Sequence, residues 1–313
     1  MNRRNLLLGT AGLAVGFSGC SNSPNGSSQV SKKKITLNDC PALKAYIDSL
    51  CDIPEGSFLM GSSDGYPDES PVHKVPISAF RMGKTPVTVD MWEEFAKASR
   101  MAMPPEPNPT EPNPEFDGAQ KFNIGWKDKD HPIVGVDWDG CQQFARWASD
   151  VSGINLSLPS EAQHEYACRG GREGLKYPWG NEFDRSKVWC SDEKLGDRGS
   201  TGSVNRRVYI WRNHQWGLID LVGNVSEWCL DWYDPKWYQI PQASDRDVVN
   251  VDSSPTVKIE YIDKSSENKP ARCIRGGSWG GANPNDFRCA KRDMNGPNSG
   301  YINIGFRLTA EPT

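Results

Sequence analysis

The sequence of 313 residues is short of most features from which a function is usually read. Histidine is scarce: His73, His131, His164 and His214 are scattered, and they read as structural hydrogen-bonders rather than metal ligands. No two of the nine cysteines stand in a C-x-x-C pair, which excludes the common zinc and dithiol motifs. Basic residues form no stripe and the net charge is −4, so a nucleic-acid partner is not expected. No apolar run is long enough to span a bilayer; Leu6 to Phe17 falls short of the roughly 20 residues required. Gly83-Lys84-Thr85 lacks the upstream glycine of a phosphate loop, and Gly276-Gly-Ser-Trp-Gly280 lacks the strand, turn and helix of a hydrolase elbow.

What is present begins with an address. Arg3-Arg4, the apolar run and Ser18-Gly19 before Cys20 have the three regions of an export signal, spanning residues 1–19. Phe17-Ser-Gly-Cys20 resembles a bacterial lipobox, which implies a lipidated Cys20; ordinary cleavage nearby is the alternative. Arg3-Arg4 also fits twin-arginine export, with the general route left open. Residues 20–50, rich in Ser, Asn and Lys near Cys20, read as a flexible tether. The expectation is an exported protein held by lipid at the bacterial outer membrane or cell surface. The eight cysteines besides Cys20 then suit disulfides, whose pairing spacing alone does not give.

The remainder, residues 51–313, reads as one α+β domain with few short helices and much irregular structure. Phe58-Leu-Met60 and Val72 to Ile77 predict a hairpin. Helices are expected from Val89 with Thr88 as N-cap, from Asp139 with Gln142 as box partner, and from Ser160 with Gln163, ending at Gly170-Gly171.

Ordered blocks along this domain resemble the sulfatase-modifying, or formylglycine-generating enzyme, family. They include Gly56-Ser-Phe-Leu-Met-Gly61, Lys84-Thr-Pro-Val-Thr88, Leu158-Pro-Ser-Glu-Ala162, Gly223-Asn-Val-Ser-Glu-Trp228, Arg275-Gly-Gly-Ser-Trp279 and Gly305-Phe-Arg307. The resemblance implies an elaborated C-type-lectin-like fold. It also implies a calcium site at Asp220, Gly223, Val225 and Glu227, with a self-satisfied turn as the alternative, and a Cys168–Cys289 disulfide. The family's catalytic members hold copper through two cysteines, whose positions here are Gly281 and Asp286. Neither supplies a thiolate, the donor that selects Cu(I), so no catalytic residue and no copper are expected.

A frame without its chemistry resembles the variable target proteins of diversity-generating retroelements, which end shortly after a Gly-Phe-Arg motif. The segment 275–307 is then a candidate variable surface. Residues of the types reachable from mutated asparagine codons occupy Gly280, Gly281, Asn283, Asn285, Asp286, Phe287, Asp293, Asn295, Asn298, Ser299, Gly300, Tyr301 and Asn303, with Trp279 beside them. Lys291 and Met294 are not of that set. Tyr with Ser, Gly and Asn is also a paratope composition. The resemblance therefore implies display of a binding surface toward an unknown protein or cell-surface ligand. An exported formylglycine-generating-enzyme-like oxidoreductase is the alternative.

Overall fold

The Gly-Phe-Arg motif near the C-terminus is buried in the middle of the molecule, and the architecture follows from that placement. The computed structural model describes residues 35–105, 123–190, 214–257 and 268–312. The signal, Cys20 and the first part of the expected tether, residues 20–34, lie outside the described residues.

In chain order the elements are helix α1 (Pro41–Asp48), strands β1 (Cys51–Ile53), β2 (Gly56–Met60), β3 (His73–Ile77) and β4 (Phe80–Met82), then helices α2 (Val89–Ser99) and α3 (Trp138–Ser152). Strand β5 (Leu156–Ser157), helix α4 (Glu161–Arg169) and strands β6 (Ser226–Trp232), β7 (Arg272–Arg275), β8 (Arg292–Asn295), β9 (Ile304–Gly305) and β10 (Thr309–Ala310) complete the order. One sheet runs β1-β4-β10-β5, so the last strand lies between strands from the first half of the chain. A second is the expected β2-β3 hairpin, and the third runs β8-β7-β6-β9.

The helix starts follow local chemistry. Ser160 and Gln163 exchange the expected capping-box bonds, and Gly170 closes α4 in the left-handed conformation. In α3 the cap is Asp137, not Asp139: its carboxylate accepts from the Gly140 amide, so the helix begins two residues before the expected start.

The tether assignment of residues 20–50 is corrected at its C-terminal end, because α1 belongs to the domain. Leu43, Tyr46 and Ile47 are buried. The first amides of α1 have no local cap; those of Ala42 and Leu43 donate to the Glu94 carboxylate of α2 at 2.8 and 3.0 Å. A capping partner 52 residues away is invisible to local sequence reading.

The core around α2 and α3 is aromatic. Trp92 and Phe144 stack at 5.6 Å, and Phe306 meets them edge-on at 6.0 and 5.4 Å. Phe306 is fully buried, which pins the end of segment 275–307 to the helices. Apolar contact of this kind is the main favourable contribution to the fold.

Candidate functional site

Segment 275–307 leaves the third sheet at the end of β7, returns as β8 and closes through β9, so both its ends belong to one sheet. Buried arginines fix it. Arg275 donates to the Glu165 carboxylate and to the carbonyls of Ala290 (2.9 Å), Lys291 (2.6 Å) and Cys289 (3.0 Å). Arg292 makes a bidentate pair with Glu161 at 2.8 and 2.9 Å, and Arg288 one with Glu69 at 2.6 and 2.7 Å. Arg307 does the same with Glu227 and also reaches the carbonyls of Gly83, Ile219 and Asp220. These paired charges avoid the desolvation cost that an unpaired buried guanidinium would carry. Of their partners Glu69, Glu161, Glu165 and Glu227, only Glu227 is singled out from the sequence, and there as a calcium ligand rather than the partner of Arg307.

The candidate contact residues divide by depth. Gly280, Asn283, Asn285, Asp293 and Asn298 are exposed, and Gly281, Asp286, Ser299, Tyr301 and Asn303 are half-buried. Three assignments are corrected. Phe287 is 0 % exposed and stacks on Phe183, Trp279 is 3 % exposed, and Asn295 is 5 % exposed, opposite Arg272 in the β7–β8 ladder. They support the surface from beneath rather than form it. Gly300 is exposed, but a β-carbon there would collide with the Gly135 carbonyl oxygen, so it is corrected from an exchangeable position to a packing glycine. At Gly280 the nearest atom to such a carbon would be Ser278 Oγ, 3.9 Å away.

Gly281 and Asp286 are neighbours in space: a β-carbon on Gly281 would lie 3.4 Å from Asp286 Oδ2. The positions that carry the family's copper thiolates are thus brought together, but by residues with one hard oxygen donor and no sulfur. Burial raises the Asp286 pKa, Lys291 lowers it and Asp293 raises it, so these three side chains share one electrostatic neighbourhood.

Calcium fares no better. Glu227 accepts from Arg307 Nε on one oxygen and Arg307 Nη2 on the other, both at 2.6 Å, with His164 Nε2 at 3.1 Å. Asp220 Oδ2 accepts from Asn224 Nδ2 at 2.9 Å. The guanidinium already supplies Glu227 with its cation, so Asp220, Gly223, Val225 and Glu227 do not fit calcium as arranged.

Cys168 and Cys289, the pair implied by the resemblance, stand with their sulfurs 3.1 Å apart as buried thiols. Sequence reasoning missed a cavity of about 490 Å³ beside β8, whose walls include Tyr66, Asp68, Tyr233, Lys236, Lys291 and Asp293. Lys291 was set apart only because its codon does not fit the asparagine pattern; its ammonium lies over Tyr66, 4.7 Å from the ring centre.

Residues 40–312 match the sulfatase-modifying factor enzyme 1-like domain. The chain belongs to the sulfatase-modifying factor family. Within it, a formylglycine-generating enzyme from Thermomonospora curvata is 28 % identical over 83 % of this chain and 92 % of its own length. The serine/threonine-protein kinase Pkn1 of Chlamydia trachomatis is 31 % identical over 83 % of this chain, and the chain spans 38 % of that kinase's length. Among solved structures, PvdO from Pseudomonas aeruginosa superposes with a TM-score of 0.64 at 24 % identity, covering 84 % of this chain and 94 % of its own. Treponema denticola variable protein 1 gives 0.58 at 21 % identity, covering 84 % and 95 %. Both establish the fold, and the mixed α+β architecture expected from the sequence is the one found. A family that includes a variable protein among its structural neighbours and formylglycine-generating enzymes among its relatives leaves function to the site itself.

Proposed function

We propose that this protein is a surface-anchored lipoprotein that displays a variable ligand-binding site on the sulfatase-modifying-factor scaffold, as the target of a diversity-generating retroelement. The observation that carries the reading is the division of segment 275–307 by depth. Arg275, Arg292 and Arg307 are buried and paired, while Gly280, Asn283, Asn285, Asp293 and Asn298 face solvent between them. A rigid frame with small polar residues outward suits exchange of contacts without loss of the fold. Gly281 and Asp286 in place of thiols weigh against a copper oxidase. Under this reading Cys20 carries the lipid, Cys168 and Cys289 form a disulfide after export, and the partner is an unidentified protein or cell-surface ligand.

Sequencing the locus in sister isolates tests the proposal. Differences should concentrate at the exposed positions, with Arg275, Trp279, Cys289, Arg292 and Arg307 fixed, and a near-copy of the segment should lie beside a reverse transcriptase gene. An invariant segment with no such copy would overturn it. Replacement of Cys20 with Ser should release the protein from membranes.

A further inference from the structure

Strand β8 is the outer strand of its sheet. In an antiparallel ladder, residues alternate between pairs that exchange both main-chain bonds and pairs whose N–H and C=O turn away from each other. The Met294 N–H is directed to Asp293 Oδ1 at 2.8 Å, and the Arg292 carbonyl accepts from Lys291 Nζ at 2.6 Å. Arg292 and Met294 stand opposite Arg275 and Cys273 of β7, two residues apart. They are therefore the residues whose main-chain groups face outward. Each of those two groups is capped by a side chain from its neighbour in sequence, an ammonium on the carbonyl and a carboxylate on the amide.

This edge borders the cavity of about 490 Å³, a size within the roughly 300–1,000 Å³ range of ligand clefts. The far wall is held to the strand: Arg292 Nη1 donates to the carbonyls of Asp68 at 2.9 Å and Asp234 at 3.1 Å, and Tyr233 donates to Asp68 Oδ2 at 2.7 Å. The space is thus preformed rather than a gap between independent loops. An unpaired edge is a template for another strand, and natural proteins protect such edges with charged side chains. Here the charges sit directly on the hydrogen-bonding groups, imitating the donor and acceptor of a passing backbone.

We propose that the cavity binds an extended peptide, which adds as a strand to the β8 edge when Lys291 and Asp293 leave the Arg292 carbonyl and the Met294 amide. The required ligand presents a donor and an acceptor at strand repeat, which a polypeptide backbone does. Main-chain bonds supply affinity in this mode, and the surrounding side chains supply selectivity. The inference rests on the display reading, since it names a ligand class for the part of that surface around Asp293.

The test is selection of random linear peptides displayed on phage against the full chain, followed by affinity measurement with synthetic copies of a selected peptide. Met294→Pro removes the outward amide without touching the β7 ladder. It should weaken binding by about tenfold, the factor for one lost hydrogen bond of about 1.4 kcal/mol. Asp293→Ala uncaps the amide and should tighten binding severalfold, an effect that misfolding would not produce. N-methylation of the peptide should be harmful at alternate residues only. Selected peptides that ignore both substitutions, or that tolerate N-methylation everywhere, would overturn the inference, as would a library that yields no binder. Peptide binding at this edge in a chain whose natural copies do not vary would sink the display reading and leave the edge site standing. Natural copies that vary as expected, with no peptide binding, would do the reverse.

Discussion

Arg307 donates from Nε and Nη2 to the two oxygens of Glu227, at 2.6 Å each, and joins the end of the candidate surface to β6 across 80 residues of sequence. Both side chains are almost fully buried. Removing one partner strands a charge, so Arg307→Met or Glu227→Gln should each cost about 3–5 kcal/mol. The double replacement should cost clearly less than the sum. A double-mutant cycle by urea denaturation measures this, and additive losses would contradict the pairing.

Gly280 and Gly300 predict opposite responses to the same change. Gly300→Ala places a carbon against the Gly135 carbonyl and should cost about 1–3 kcal/mol. Gly280→Ala meets only Ser278 Oγ, at ordinary contact distance, and should stay within about 0.5 kcal/mol of the parent. Urea midpoints for the two variants decide it, and equal effects would mean the segment lies elsewhere.

Acid should act through His214, which burial holds down to a pKa of about 4. The unfolded chain takes up a proton below about pH 6.5, where the folded protein does not, so this group removes stability as pH falls from about 6.5 to 4. Asp231 opposes it. Burial, with Glu161 beside it, raises its pKa to about 7, so its carboxyl removes stability as pH rises from about 4 to 7. The parent profile therefore hides both. Melting curves of His214→Gln should reveal a decline in stability as pH rises through that window, and those of Asp231→Asn a decline as pH falls; profiles as flat as the parent's would refute the assignments.

Calcium should leave the melting temperature unchanged, because Arg307 already neutralises Glu227. A ligand that binds only the folded state stabilises it by mass action. Calorimetry in millimolar calcium against chelator reads the difference directly, and a rise of several degrees would restore the calcium assignment.

Helix α1 should be integral to the domain. Leu43 is fully buried, and Leu43→Ala is expected to cost about 2–5 kcal/mol. A loss below about 0.5 kcal/mol would return residues 40–50 to the tether.

Legibility in the sequence followed the range of the interactions. The Ser160 box and the glycine stop at Gly170 depend on residues a few positions apart, and the β2-β3 hairpin joins neighbouring apolar runs across one polar loop, so all could be read. Helix α1 depends on Glu94, and its short length gave no strong period, so it was lost in a polar stretch. The two ends of the candidate surface were legible as Arg-Gly-Gly-Ser-Trp and Gly-Phe-Arg motifs. Depth within it was not: Asn295, Trp279 and Phe287 have the right composition, but only the register opposite Arg272 and the stacking on Phe183 show that they face inward. The cavity escaped because Tyr66, Tyr233 and Lys291 are far apart in sequence and meet only across β8.

Arg275 and Arg307 clamp the two ends of one span into a single sheet, with Phe306 seated among Trp92 and Phe144 just before the second clamp. An inserted or deleted residue between Ile304 and Arg307 would pull Phe306 out of its socket and slide Arg307 away from Glu227, whereas the exposed stretch around Gly280 to Asn285 can lengthen without reaching either. The span is therefore gauged at its closing end, and its freedom, in spelling and in length alike, is confined to the stretch that faces water.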